Sequence, residues 1–114
     1  HVIPQEDFKS YKQSIEAIPE FHDYSMNQEA ESAKRFARKF VLETLEDSMS
    51  GKVEARGRVG NISDEILSEA ESLDPRYLVI SGRRRSPTGK VVFGSIAQKI
   101  LLNAACPVVT RLTD

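Results

Sequence analysis

The chain has a single cysteine, Cys106, and no excess of charge of either sign: 16 basic residues stand against 17 acidic ones, a formal net charge of -1. One cysteine excludes an intramolecular disulfide framework and any metal cluster built from several thiolates of one chain. Balanced charge excludes a global field that would gather nucleic acid or an anionic membrane, so any anion site has to be local. Long apolar runs are lacking as well. None approaches the roughly 18 residues that suggest a membrane span, and no secretory signal pattern opens the chain. Internal repeats, linkers and low-complexity tracts are absent too. These absences lead to the expectation of a soluble, cytoplasmic protein, and 114 residues suffice for one domain with a real core, over residues 1–114, but not for two.

What is present alternates between helix and strand periods. His1-Val2-Ile3 reads as the end of a strand. After Pro4, Phe8, Tyr11, Ile15 and Ile18 recur at spacings of three and four, a weak amphipathic signal for a helix or a mobile excursion, broken at Pro19 and not counted among the helices that follow. From Gln28 to about Ser48, Ala33, Phe36, Ala37, Phe40, Val41 and Leu45 share one helical face, and Ser50-Gly51 gives a stop. "KVEARGRV" then alternates, with Val53, Ala55, Gly57 and Val59 on one side and charges on the other, the pattern of a half-exposed strand. Asn61 is placed to cap the next helix, whose buried stripe is Ile62, Ile66, Leu67, Ala70 and Leu73. "YLVIS" is a continuous apolar run, as expected of a parallel strand covered on both faces. A third helix follows Gly94-Ser95, with Ile96, Ala97, Ile100, Leu101 and Ala104 as its apolar positions, and "PVVTRL" is the last strand. Alternating strand and helix signals predict an α/β sandwich with a mainly parallel sheet.

The segment between the third helix and the strand before it carries the chemistry. In "SGRRRSPTGKVVFGS", Arg83, Arg84, Arg85 and Lys90 lie between Gly82 and Gly94. Ligands of open parallel sheets sit at the carboxyl ends of strands. Gly94 allows close approach to the backbone, Ser95 offers a hydroxyl, and the first amides of a helix point outward unsatisfied with partial positive charge. Together these make an anion site, and phosphate is the expected anion. The "TGK" within the loop is not a phosphate-binding P-loop, because the glycine spacing is wrong and Val91 stands where Ser or Thr would meet magnesium. No G-x-G-x-x-G follows a strand. No general base, nucleophile pair or carboxylate pair stands near the loop, and His1 and His22 are distant from it in sequence, so the residues describe a binding module rather than an efficient enzyme. Cys106, before Pro107, reads as a small buried side chain.

From "YLVISG" to "GSIAQKILLNAACPVVTRL" the chain resembles the universal stress protein family, whose signature is a strand, G-x-x-G, nine residues, then G-S or G-T opening a helix, then a proline-led last strand. The upstream "GRVGNISDEILSEAESLDPRYLVISG" resembles that family's third strand, helix and fourth strand, and the opening "HVIP" the end of its second strand. The resemblance implies a flavodoxin-like, Rossmann-like α/β fold of the adenine nucleotide alpha hydrolase type, an open parallel sheet in strand order 3-2-1-4-5 with helices on both faces. It places this chain without the family's first strand and helix. It further implies a homodimer through the last strand (Pro107, Val108, Val109, Thr110) and a site for ATP, or AMP, with magnesium as a companion ion. By position, Val2 would lie against the adenine, Gly82 and the arginines Arg83, Arg84 and Arg85 would border the ribose and phosphates, and Gly94, Ser95 and Ile96 would bind the phosphates. Slow ATP hydrolysis is the most that this arrangement implies as catalysis. Two departures mark the loop: Arg85 stands where the signature has its second glycine, and eight residues, not nine, separate it from Gly94. The competing reading keeps the fold and removes the nucleotide, leaving a dimeric stress or signalling scaffold.

Overall fold

A computed structural model of the chain describes residues 1–16, 26–83 and 94–113. The chain divides into two compact units, His1–Ile62 and Ser63–Asp114.

The first unit is built on a short parallel pair. Strand β1 (Val2–Pro4) leads directly into helix α1 (Gln5–Glu16), whose first turn carries Glu6 and Asp7 where the helix dipole favours negative charge. Helix α2 (Met26–Thr44) and the single-turn α3 (Asp47–Ser50) precede strand β2 (Arg58–Gly60). β2 runs parallel to β1 with Val2 opposite Arg58 and Ile3 opposite Val59. The amide of Arg58 donates to the His1 carbonyl at 3.0 Å, extending the ladder by one bond. Phe8, Ala33, Ala55 and Val59 form the core.

Helix α2 is rich in Ala, Glu, Lys and Arg, all strong helix formers, and an exposed Lys39–Glu43 pair at 3.9 Å adds minor support. It ends sooner than its periodicity predicts. The chain leaves the helix at Leu45–Glu46, and the Ser50-Gly51 stop belongs to α3 instead. The Arg38 guanidinium joins the two elements by donating to the carbonyls of Ser50 and Val53, each at 3.3 Å. The predicted face is also narrower. Ala33 is wholly buried and Ala37, Val41 and Leu45 half-buried, but Phe36 and Phe40 are exposed, with the His1 ring 4.6 Å from that of Phe36.

The small residues of α2 face β2 because the chain before that strand comes very close. A Cβ on Gly57 would stand 2.2 Å from the Lys34 nitrogen and 2.3 Å from the Ala30 oxygen. Backbone against backbone at this separation requires glycine. The alternating reading of residues 52–59 therefore holds in its burial, with Ala55 and Val59 inside, but not in its extent: ladder pairing begins only at Arg58, and Val53 is exposed.

The second unit contains most of helix α4 (Ile62–Leu73), strand β3 (Leu78–Arg83), helix α5 (Ser95–Asn103) and strand β4 (Val108–Thr113). Asp74 closes α4 with a positive φ of 46°, its amide donating to the Ala70 carbonyl at 3.0 Å, and Pro75 prevents continuation. β3 and β4 are parallel, with Leu78 opposite Val108, Ile80 opposite Thr110 and Gly82 opposite Leu112. Burial alternates along both. Leu78, Ile80, Val108, Thr110 and Leu112 are half-buried, whereas Tyr77, Val79 and Val109 are exposed, Val79 at 71%. The expectation of a strand covered on both faces is thus corrected to one covered on a single face. Leu73, placed by periodicity in the stripe of α4, is exposed as the last residue of that helix.

The architecture is α/β with parallel strands. Among the described residues the strands form two pairs, β1 with β2 and β3 with β4, and neither pairing sets an order across all strands.

Candidate functional site

In the second unit, a cavity of about 700 Å³ opens where β3 ends and α5 begins. Ile80, Ser81 and Gly82 contribute from the strand, Gly94, Ser95 and Ile96 from the start of the helix. Ile66 of α4 and Ile100 of α5, the latter only 2% exposed, supply apolar wall. One side of the cavity is therefore aliphatic and the other is backbone.

The backbone side suits an anion. Gln98 donates the first intrahelical bond of α5, to the Gly94 carbonyl at 3.0 Å, so the amides of Ser95, Ile96 and Ala97 have no acceptor within the helix. Gly94 occupies the cap position in an extended conformation and brings no side chain to fill the end of the helix. No acidic residue lies in the first turn to compete for these amides. Among the described residues, a Cβ on Gly94 would meet nothing within 4 Å. Uncapped amides and the positive pole of a helix coincide.

A second cavity, of about 220 Å³, lies by the opposite ends of α4 and α5, where Glu71, Asp74, Asn103 and Cys106 line it. Helix carboxyl ends and two carboxylates repel an anion. Cys106 is half-buried there rather than fully enclosed. Among the described residues, no group of three or more His, Cys, Asp or Glu side chains is placed to hold a metal ion. Nor is any helix among them long and apolar enough to cross a membrane.

Of the residues expected from sequence to bind a ligand, Gly82, Gly94, Ser95 and Ile96 line one cavity. The backbone of Arg83 ends β3 opposite Thr113. Arg84 and Arg85, with Gly89 and Lys90, lie outside the described residues. Val2 belongs to the first unit, half-buried in β1. Sequence reasoning assigned Ile66 and Ile100 to the core and did not see that they wall the cavity. Their signal was the i, i+4 recurrence of Ile96 and Ile100, which puts both on one side of α5. It also missed an ion pair between α4 and α5, Lys99 Nζ to Asp64 Oδ1 at 2.5 Å, which no local pattern announces because the partners are 35 residues apart.

The model of the universal stress protein family matches residues 1–110, and so extends through both units. A universal stress protein of Mycolicibacterium smegmatis is 37% identical over 78 residues, which is 65% of this chain and 60% of that protein. The match thus spans about 60% of the relative's length. No solved structure matches the chain.

Proposed function

The chain belongs to the universal stress protein family, and from this premise we propose that it serves the stress response as a cytoplasmic binding module for an adenine nucleotide, ATP in the first instance. The phosphates would lie against the amides of Ser95, Ile96 and Ala97, with Gly94 giving backbone access and the Ser95 hydroxyl adding a donor. Gly82 and the arginines Arg83, Arg84 and Arg85 would border the ribose and phosphates, as in the family. The observation that carries this reading is the convergence of Gly82, Gly94, Ser95 and Ile96 on one cavity at an uncapped helix N-terminus. The aliphatic wall of Ile66, Ile80 and Ile100 supports it further, since a nucleoside offers apolar surface beside its charged phosphates.

The test is calorimetric titration with ATP, with and without magnesium, of protein first checked to be free of carried nucleotide. Saturation near one ATP per chain is expected. Gly94→Val should abolish it without unfolding the protein, because among the described residues nothing stands within 4 Å of a Cβ added there. Absence of binding to the folded, empty protein overturns the nucleotide reading in favour of the scaffold reading. That second reading has its own observation in the exposed face of β3 and β4, where Val79 and Val109 are uncovered. Under either reading the last strand, residues Pro107, Val108, Val109 and Thr110, joins two copies into a homodimer. β4 pairs only with β3 among the described residues, and a six-residue strand with a free edge is covered in most proteins.

A further inference from the structure

We infer that Lys99 is an anion-binding residue of this site which Asp64 holds away in the empty protein, and that Lys99 exchanges its ion pair with Asp64 for a phosphate group at the start of α5. The inference rests on the nucleotide reading of the same cavity. Lys99 stands four residues after Ser95, on the same side of α5 and about 6 Å along its axis. Side chains of a helix tilt toward its N-terminus, so the stem of Lys99 leans back toward the uncapped amides. Its four-carbon stem is flexible, and its ammonium is a point charge that accepts partners from several directions.

In the structure that ammonium is committed to Asp64, 2.5 Å away in the first turn of α4, and both side chains keep substantial exposure, 45% for Lys99 and 58% for Asp64. An ion pair this exposed is a weak one. A terminal phosphate carries up to about two negative charges and three acceptor oxygens against the single charge of the carboxylate. The exchange is therefore favourable once a phosphate is delivered to the helix end. Asp64 is not stranded by it, because a carboxylate in the first turn of a helix keeps the favourable interaction with the amino end of α4. In the absence of ligand, Asp64 occupies the cation that the ligand would use, and so lowers affinity for every anion at the site.

This assignment predicts a sign that a merely structural ion pair does not. If Asp64 and Lys99 only brace α4 against α5, removing either weakens binding. If Asp64 masks Lys99, removing Asp64 strengthens it. The experiment is titration of the full chain with ATP and, separately, with inorganic triphosphate, on the wild type, Asp64→Asn, Lys99→Gln, Lys99→Arg and the Asp64→Asn/Lys99→Gln pair. Asp64→Asn is expected to tighten binding of both probes about threefold, the scale of an exposed ion pair. Lys99→Gln should weaken it about fivefold or more, as loss of a charge-assisted bond does, and Lys99→Arg should restore most of the loss. In the double variant, Asp64→Asn should have no further effect. In the wild type, the Lys99 side-chain ammonium resonance should shift on adding triphosphate. Weaker or unchanged binding by Asp64→Asn, with wild-type binding intact, overturns the masking role and leaves the nucleotide reading standing. If neither probe binds any variant or the wild type, the nucleotide reading has failed, and this inference falls with it.

Discussion

Gly57 and Gly94 show how differently two glycines are used in one chain. At Gly57 the chain passes against the backbone of α2, and a methyl group would be driven into the Lys34 nitrogen and the Ala30 carbonyl, atoms of a helix that cannot move singly. Gly57→Ala is therefore expected to cost about 3 kcal/mol, the upper part of the range for overpacking, seen as a lower urea midpoint. Gly94 has an ordinary φ of -64°, and an added Cβ would meet no described residue within 4 Å. Gly94→Ala should leave the same midpoint within about 0.5 kcal/mol, as surface substitutions do, so its effect on ligand binding can be read without correction for folding. Thr110 offers a third residue-level test. Its hydroxyl oxygen is buried without a hydrogen-bond partner among the described residues, although the residue sits in the middle of the β3–β4 pairing. Thr110→Val removes a desolvated hydroxyl at nearly constant volume and is expected to raise stability by up to about 1 kcal/mol. A destabilised Thr110→Val variant would mean that the hydroxyl has a partner after all.

At the scale of elements, α5 has one face inside and one outside. Ile100 is 2% exposed and walls the cavity, whereas Leu102, two residues on, is 84% exposed. Ile100→Ala should cost about 2–5 kcal/mol and Leu102→Ala at most about 0.5 kcal/mol, a contrast that chemical denaturation of the two variants resolves. Elements of this kind were legible in the sequence: the third helix, its Gly-Ser start and the parallel last strand follow from spacing and from Gly94, Ser95 and Pro107 alone. The backbone that the proposed anion site would use was legible for the same reason, because Gly94, Ser95 and Ile96 fall where α5 begins. Burial was less legible. A continuous apolar run does not reveal which of its faces is covered, and Val79 and Phe40 are apolar yet exposed. The end of α2 was misread for a related reason, since the helix period continues through Leu45 while the chain turns away there. The approach of Gly57 to α2 and the pairing of Lys99 with Asp64 join residues far apart in sequence, and local periodicity carries no signal for either.

At the scale of the whole molecule, the strand that ends the chain bears most on assembly. β4 is six residues long, its alternate positions expose Val109 and Arg111, and it pairs only with β3 among the described residues. An open strand edge next to exposed apolar side chains is normally blocked by charge, by a covering element or by a second copy. A two-fold pairing of β4 with itself meets that need, and it brings each substituted residue near its own symmetry mate. A lysine at position 109 then sets two ammonium groups against each other across the axis and converts an edge that pairs into one that resists pairing. Sedimentation equilibrium of the wild type is expected to show a dimer, and Val109→Lys a shift toward monomer of tenfold or more, on the order of the 1.4 kcal/mol that two opposed exposed charges and a lost apolar contact supply together. The thermal midpoint of the wild type should rise with protein concentration and that of Val109→Lys should not, because only association adds a concentration term to stability. Equal sedimentation of the two proteins as dimers would move the interface away from β4. A monomeric wild type would leave the exposed valines of β3 and β4 to a different partner protein, and the two results separate because only the second removes the concentration dependence of the wild type.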